Sequence, residues 1–119
     1  MQTKLLINGQ LVAGEGAAQA VLNPSLSTTL VEIREATPEQ VDAAVRAADA
    51  AFDSWSQTTP KDRSTLLLQL ADKIDAHAEE LARLESNNCV KPYSAALNDE
   101  LPAIADVFRF FAGASRVMS

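Results

Sequence analysis

The residue best suited to nucleophilic chemistry is Cys89, the single cysteine of the chain, which is followed directly by Val90-Lys91-Pro92. A thiol becomes a strong nucleophile when a histidine, a helix N-terminus or a nearby cation lowers its pKa. Lys91 lies two residues away, and His77 lies twelve residues earlier in a segment of helical periodicity. Nothing in the sequence directs either side chain to the thiol. We therefore interpret Cys89 as a small, half-buried residue at a helix C-terminus, in preference to a catalytic nucleophile.

The other titratable candidates also have structural explanations. His77 stands between alanines and is followed by two glutamates, a pattern typical of a solvated helix face. Asp99 and Glu100 could act as an acid/base pair, but carboxylates at a helix start are already explained by the helix dipole. Gly14-Glu15-Gly16 lacks the strand–turn–helix context of a phosphate loop, and one cysteine with one histidine argues against a self-contained zinc site. The sequence therefore contains no assembled active site.

Length and charge narrow the class of protein. The chain has 119 residues, 47% of them apolar, which fits one small domain with a modest core. Sixteen acidic and ten basic residues give a net charge of −6, which disfavours binding to a nucleic-acid backbone. No apolar run approaches the ~20 residues of a membrane span, and the N-terminus enters a strand-like segment without a signal peptide. We expect a cytoplasmic protein that binds neither nucleic acid nor membrane.

Residues 1–36 are predicted to form an antiparallel β-arm. Leu5-Leu6-Ile7 and Gln10-Leu11-Val12 flank Asn8-Gly9, a dipeptide that tolerates the positive φ angles of a type I′ hairpin turn. The remaining predicted elements of the arm are an irregular stretch over residues 14–20, Val21-Leu22 running into a turn at Asn23-Pro24, and a short strand from Leu30 to Ile33.

Residues 37–119 are predicted to form three to four helices, so the fold class is α+β in one incomplete domain. Thr37-Pro38-Glu39-Gln40 reads as a capping box with proline at the first helical position, and Thr59-Pro60-Lys61-Asp62 repeats that start signal. Asp75 marks a kink or restart, and the last helix is predicted to start at Asp99.

Each helix shows an apolar stripe that should be buried. The stripes are Val41, Val45, Ala48, Phe52 and Trp55; Leu67, Leu70, Ile74, Leu81 and Leu84; and Leu101, Ile104, Phe108, Phe111 and Ser115.

Six landmarks follow one another along nearly the whole chain. They are an ING hairpin, an Asn-Pro turn, the helix EQVDAAVRAADAAFDSW, the helix start TPKDRSTLLLQLAD, a Lys-Pro corner preceded by LES, and the closing FRFFAGASR. Together they resemble the N-terminal quarter of an aldehyde dehydrogenase. Within that family, EQVDAAVRAADAAF and NDELPAIADVFRFFAGA are most similar to the γ-aminobutyraldehyde dehydrogenases, which are relatives of the betaine aldehyde dehydrogenases.

The resemblance implies that the chain is part of the α/β cofactor-binding region of an NAD-dependent enzyme that oxidises an aminoaldehyde to the carboxylate. In that chemistry a cysteine thiolate adds to the aldehyde, hydride passes to the nicotinamide, and a glutamate-activated water hydrolyses the thioester. In the family these groups lie beyond the position of Ser119, and Cys89 does not match the nucleophile. We therefore expect no catalytic residue, no NAD binding by this chain alone, and a small aldehyde substrate only in the full-length enzyme.

The resemblance also implies two binding positions. The backbone carbonyl of Leu22 and the side chain of Asn88 match positions that hold a monovalent cation in family members, although an amide supplies oxygen without the charge of the usual aspartate. Glu100, with Asp106 further along the last helix, matches acidic positions at the substrate entrance that recognise an ammonium group. A simpler explanation for both carboxylates is that they keep the helix surface hydrated and interact with the helix dipole.

Two positions depart from the family pattern. Val90 replaces the glycine of the usual Gly-Lys-Pro, which matters if the corner needs a positive φ, because a β-branched residue resists that conformation. Ser25-Leu26-Ser27 replaces the usual glycine-bearing turn after Asn-Pro.

The rival interpretation is a non-catalytic α+β interaction module that binds a partner through its β-arm or its apolar helix faces. In the parent fold the stripes pack on the cofactor-binding sheet, which these residues do not include, so we expect self-association. A thiol enzyme that uses Cys89 is a third and weaker alternative.

Overall fold

The computed structural model describes residues 1–117 and has an antiparallel β-arm followed by helices, so the predicted α+β class is confirmed. The chain forms two compact units. The first comprises residues 1–23 and 27–57, and the second comprises residues 24–26 together with the chain from Thr58 onward. The prediction of one incomplete domain divided at residue 37 remains a prediction.

The first hairpin forms as its turn sequence predicts. Strand β1 (Leu5–Ile7) pairs antiparallel with β2 (Gln10–Val12), and Leu5 lies opposite Val12. The two turn residues, Asn8 and Gly9, have φ angles of 50° and 74°. These are the positive φ values that a type I′ turn requires, and Asn-Gly adopts them at little cost.

The second hairpin is longer than the sequence predicts. Strand β3 (Ala18–Asn23) pairs antiparallel with β4 (Thr28–Arg34) in a separate sheet, with a bulge between Val21 and Leu22. The prediction that residues 18–20 are irregular is therefore wrong. Ala18-Gln19-Ala20 has little intrinsic strand propensity, and its extended form depends on the ladder that β4 supplies.

Gly14 and Gly16, which precede β3, lie so close to the backbone of residues 34 and 35 that a side chain would not fit. A Cβ atom on Gly14 would overlap the carbonyl oxygens of Arg34 and Glu35, and one on Gly16 would lie 2.8 Å from the Glu35 oxygen. Gly16 N–H donates to that same oxygen at 2.9 Å, and Glu35 N–H donates to the Ala17 carbonyl at 2.9 Å. The segment thus extends the pairing of β3 with β4, and it is not a phosphate loop.

Helix α1 (Pro38–Ser56) begins at the predicted capping box. The Thr37 hydroxyl accepts from Gln40 N–H, and the Gln40 side-chain oxygen accepts from Thr37 N–H, both at 3.2 Å. The same Gln40 oxygen also accepts from Glu15 N–H at 3.0 Å, and its amide donates to the Ala13 carbonyl at 2.9 Å. One side chain therefore caps the helix and ties it to the β-arm.

The face that α1 turns inward is not the predicted one. The partly covered positions after Gln40 are Ala44 and Ala47, and α1 has no fully buried residue. The predicted stripe is exposed, with Val45 and Phe52 each 63% accessible. Gln40, whose side chain contacts the β-arm, lies on the same side of α1 as these two alanines.

The second unit begins with two helices separated by a short break. Helix α2 (Pro60–Ala76) starts at the predicted Thr59–Asp62 capping box, and α3 spans Ala78–Cys89. His77 ends α2 and has φ −108° and ψ 15°, outside helical geometry. The restart predicted near Asp75 is confirmed.

The last helical segment starts earlier than predicted. Helix α4 (Tyr93–Ala95) continues through a π-helical turn (Ala96–Glu100) into α5 (Leu101–Ala114). The prediction of a helix start at Asp99 is wrong, and the carboxylates there do not occupy a helix N-terminus. Pro102 lacks an N–H and its ring crowds the preceding turn, so the chain widens that turn instead of ending the helix.

Small side chains mediate the helix packing of the second unit. Among the described residues no large side chain is fully buried, and Phe111 and Ile104 of the predicted α5 stripe are 55% and 44% exposed. Helix α5 packs against α2, and Arg109 bridges them by donating to Asp72 at 3.0 Å and Asp75 at 2.6 Å. Within residues 1–117 the buried apolar residues are Ala71, Ala82, Ala96, Ala105 and Ala112.

The two capping boxes should respond differently to acid. Hydrogen bonds from the Thr59 hydroxyl and backbone lower the pKa of Asp62 below its ordinary value of 3.8. A depressed carboxyl pKa gives stabilisation that is complete above the unfolded pKa and is lost as the pH falls through the folded pKa. We predict that Thr59→Ala destabilises by about 1 kcal/mol at neutral pH, and that this loss shrinks in acid.

Thr37→Ala is the matched control, because Gln40 has no titratable group. Its cost should also be about 1 kcal/mol and should stay constant with pH. Urea unfolding followed by circular dichroism at neutral pH and below the ordinary carboxyl pKa measures both variants. If the stability losses of Thr59→Ala and Thr37→Ala depended equally on pH, ionised Asp62 would not be the group that contributes to the second capping box.

Candidate functional site

The corner that follows α3 combines a strained backbone with a partly exposed cluster of charged side chains. Helix α3 ends at Cys89, and Val90 adopts φ 60° and ψ 18°, the left-handed conformation. Its N–H donates to the Ser86 carbonyl at 3.1 Å. The concern raised by the sequence is confirmed, because this position has a positive φ and a β-branched residue occupies it.

Lys91 directs its ammonium group between two carboxylates. Its Nζ donates to Glu100 at 2.7 Å and to Glu85 at 2.9 Å, and about a third of its side chain is exposed. The hydrogen bond to Glu100, followed by that to Glu85, raises the pKa of Lys91 above its ordinary value of 10.5. Lys91 is therefore a fixed cation that joins the end of α3 to the π-helical turn.

An apolar pocket of about 400 Å³ lies beside this cluster. The three charged side chains stand together at one part of its wall, so a ligand would meet a net charge of about −1. The rest of the lining is apolar and consists of Leu81, Leu84, Ala96, Leu101 and Ile104.

The thiol and the imidazole make separate contacts. Cys89 is exposed, so the expectation that it is half-buried is wrong, and its sulfur receives a contact from the Asn88 amide at 3.8 Å. His77 Nδ1 lies 3.3 Å from the Glu80 carboxylate. Neither arrangement pairs the thiol with a base among the described residues, and the structural interpretation of Cys89 remains a prediction.

The two positions suggested for a cation lie in different units. Leu22 is in β3, next to the bulge, and Asn88 is an exposed residue of α3. Within residues 1–117 no group of three or more His, Cys, Asp or Glu side chains is arranged to hold a metal ion. A carbonyl and a neutral amide could contribute only two uncharged ligands, so the cation site remains a prediction.

The two acidic residues suggested for the substrate entrance differ in their surroundings. The Glu100 carboxylate is occupied by Lys91, whereas Asp106 is exposed and makes no ion pair among residues 1–117. Asp106 follows Glu100 by six residues, and in an α-helix this spacing turns the two side chains ~120° apart around the helix axis. The two carboxylates therefore do not form one patch.

Sequence reasoning missed the Lys91 cluster. The sequence predicts Lys91 as part of the Lys-Pro corner but gives it no charged partner, and its partners lie six residues before it and nine residues after it. Those spacings cross a corner and match neither helical nor strand periodicity. Only the reversal of the chain at Val90 brings the three side chains together.

Comparison with known proteins identifies the family. The sequence profile of the aldehyde dehydrogenase family matches residues 11–119, so the chain belongs to that family. The structure corresponds to the N-terminal region of aldehyde dehydrogenase structures, in agreement with the resemblance noted from the sequence.

Individual relatives support the same assignment. The mitochondrial aldehyde dehydrogenase family 2 member B4 of Arabidopsis thaliana is 39% identical over 114 residues, which cover 93% of this chain and 21% of that protein. The crystal structure of PnpE in complex with nicotinamide adenine dinucleotide superposes with a TM-score of 0.94 at 37% identity, over 100% of this chain and 25% of that one.

A betaine aldehyde dehydrogenase is also similar. The Staphylococcus aureus enzyme, in complex with NAD+, gives a TM-score of 0.92 at 32% identity and covers 98% of this chain and 24% of that one. The chain thus spans about a fifth to a quarter of the length of these relatives. None of the helices described between residues 1 and 117 combines the length and apolar composition that a membrane crossing requires.

The strain at Val90 predicts a stabilising substitution. A left-handed L-residue costs roughly 1–2 kcal/mol, and glycine relieves most of this cost while adding flexibility to the unfolded chain. Val90 is 51% exposed, so little packing is lost with its side chain. We predict that Val90→Gly raises the free energy of unfolding by about 1 kcal/mol, as measured by urea denaturation.

Val45→Gly provides the control, because Val45 is exposed to a similar degree but lies within α1. Glycine there should lower stability by about 1 kcal/mol. A loss of stability in Val90→Gly comparable to that in Val45→Gly would show that the corner carries no strain.

Proposed function

We propose that this chain is the N-terminal part of an NAD-dependent aldehyde dehydrogenase that oxidises an aminoaldehyde to the carboxylate. The observation that carries the proposal is the match over the full length of the chain to a relative solved with nicotinamide adenine dinucleotide. NAD is accordingly the cofactor of the parent enzyme. A cytoplasmic location remains a prediction, and the Arabidopsis thaliana relative is described as mitochondrial.

We infer further that the chain alone neither binds NAD nor turns over an aldehyde. Thioester chemistry needs a thiolate beside a base and a site that holds the nicotinamide against it. Cys89 is the only thiol in the sequence, and the described structure gives it a neighbouring amide and no base. The nucleophile, the activating glutamate and the rest of the cofactor site belong to the remainder of the parent enzyme.

Incubating the 119-residue chain with NAD and 4-aminobutanal tests this inference. We expect no rise in NADH absorbance above a protein-free blank, and no change in unfolding temperature on addition of NAD. A full-length betaine aldehyde dehydrogenase serves as the positive control. Sustained NADH production by the chain would refute the inference, and loss of that activity in Cys89→Ser would establish the thiol as the nucleophile.

The aminoaldehyde preference rests on an acidic residue at the substrate entrance, and Asp106 is better placed for this role than Glu100. An ammonium substrate approaching Glu100 would compete with Lys91, whose Nζ already lies 2.7 Å from that carboxylate. Asp106 is exposed, and no cation among residues 1–117 occupies its carboxylate. The negative charge available to the substrate would therefore come mainly from Asp106.

A chimera tests this preference. In it, the present chain replaces the N-terminal region of the Staphylococcus aureus betaine aldehyde dehydrogenase. We predict that Asp106→Asn raises KM for 4-aminobutanal about fivefold, the effect of losing about 1 kcal/mol of ion pairing, and leaves KM for butanal unchanged. Glu100→Gln should change neither value appreciably. If Glu100→Gln raised KM for 4-aminobutanal more than Asp106→Asn does, Glu100 and not Asp106 would be the residue that recognises the ammonium group.

A further inference from the structure

We propose that Lys91 is a latch that holds the C-terminal end of α3 against the π-helical turn, and that the strained backbone at Val90 opens this corner when the latch is released. This inference goes beyond the proposed activity and does not depend on it. All of the parts lie in the second unit of the chain. They are a hinge at His77, the strained residue Val90, the latch, and the pocket beside them.

Helix α3 is joined to its neighbours through two non-helical residues. His77 separates it from α2 with φ −108° and ψ 15°, and Val90 ends it in the left-handed conformation. Helices α2 and α5 pack against each other more extensively than any other pair of the described helices, whereas α3 packs on α4, the π-helical turn and α5. The end of α3 can therefore swing about His77 while α2 and α5 stay packed together.

The strain at Val90 favours this movement. A β-branched residue is disfavoured in the left-handed region, and strain of this kind persists only where the surrounding structure holds it. An extended conformation would relieve the strain, and residues 90–92 could then span up to roughly 10 Å. That length lets the end of α3 move away from the π-helical turn.

Lys91 opposes the movement. Its Nζ donates to Glu85 of α3 at 2.9 Å and to Glu100 of the π-helical turn at 2.7 Å, so the ammonium group joins the two elements directly. Both carboxylates accept from the same nitrogen, and they would repel each other if the cation between them were lost. Release of Lys91 therefore removes an attraction and leaves a repulsion in its place.

The latch sets the width of the apolar pocket of about 400 Å³. Helix α3 supplies Leu81 and Leu84 to one wall, and α5 supplies Leu101 and Ile104 to the other. Lys91 and its two carboxylate partners also line the pocket. A swing of α3 would separate the two walls, so the pocket is narrow while the ion pairs are made and wide when they are broken.

Double electron–electron resonance tests the proposal on the 119-residue chain. Cys89 is the only cysteine, is exposed and is the last residue of α3, so it accepts one spin label. Val107→Cys places a second label on α5, at a residue that is 52% exposed. We expect one dominant distance between the labels. Lys91→Met should raise the population of a second distance about fivefold or more, the equilibrium factor for losing an ion pair.

Val90→Gly tests the contribution of strain. Glycine accepts the left-handed conformation, so the closed corner becomes favourable without the latch. Added to Lys91→Met, Val90→Gly should lower the population of the second distance about fivefold. Val90→Ala is the matched control, because alanine keeps a Cβ atom and most of the strain, and it should lower that population less.

Arg109→Met is the matched control for the loss of a cation. Arg109 also donates to two carboxylates, and its side chain is 38% exposed against 32% for Lys91, but it joins α5 to α2. It should leave the population of the second distance unchanged. A further label pair, Leu66→Cys with Val107→Cys in a Cys89→Ser chain, measures α2 against α5 and should keep one distance in Lys91→Met.

Three results would overturn the proposal. An unchanged distance between α3 and α5 in Lys91→Met would show that Lys91 is not a latch. If the distance between α2 and α5 changed as well, Lys91 would support the whole unit rather than the corner. If Val90→Gly and Val90→Ala had equal effects, strain would not drive the opening. None of these results bears on whether the parent enzyme oxidises aldehydes.

Discussion

The close approach of helices through alanine is the constraint on which the second unit depends. Ala71 of α2 and Ala105 and Ala112 of α5 are completely buried where these helices pack. An alanine removes little apolar area from water, so each contact stabilises weakly, but it lets backbones approach and excludes larger side chains from the contact. Larger apolar residues consequently lie at the edges of the packing or outside it.

Polar links hold the elements where this small core cannot. Gln40 joins the start of α1 to the β-arm, Arg109 joins α5 to two aspartates of α2, and Lys91 joins the end of α3 to the π-helical turn. Each link uses a geometrically specific hydrogen bond, so it fixes orientation as well as distance.

Local chemistry determined which features could be predicted from the sequence. Asn8-Gly9 and the Thr37 box were predicted correctly because their turn and cap depend on neighbouring residues only. The extent of β3 and the inward face of α1 depend on contacts made at long range, and periodicity alone misassigned both. Val90 was identified through the family resemblance, whereas the partners of Lys91 had no sequence signal. The suggested cation and substrate-entrance residues remain predictions.

The pair of carboxylates around Lys91 has a consequence for chemical reactivity. A lysine condenses with an aldehyde to form an imine only through its free amine, and each unit by which the pKa rises lowers the free fraction about tenfold. Glu85 and Glu100 favour the ammonium form of Lys91, so the link that shapes the corner also lowers the reactivity of this amine towards carbonyl groups.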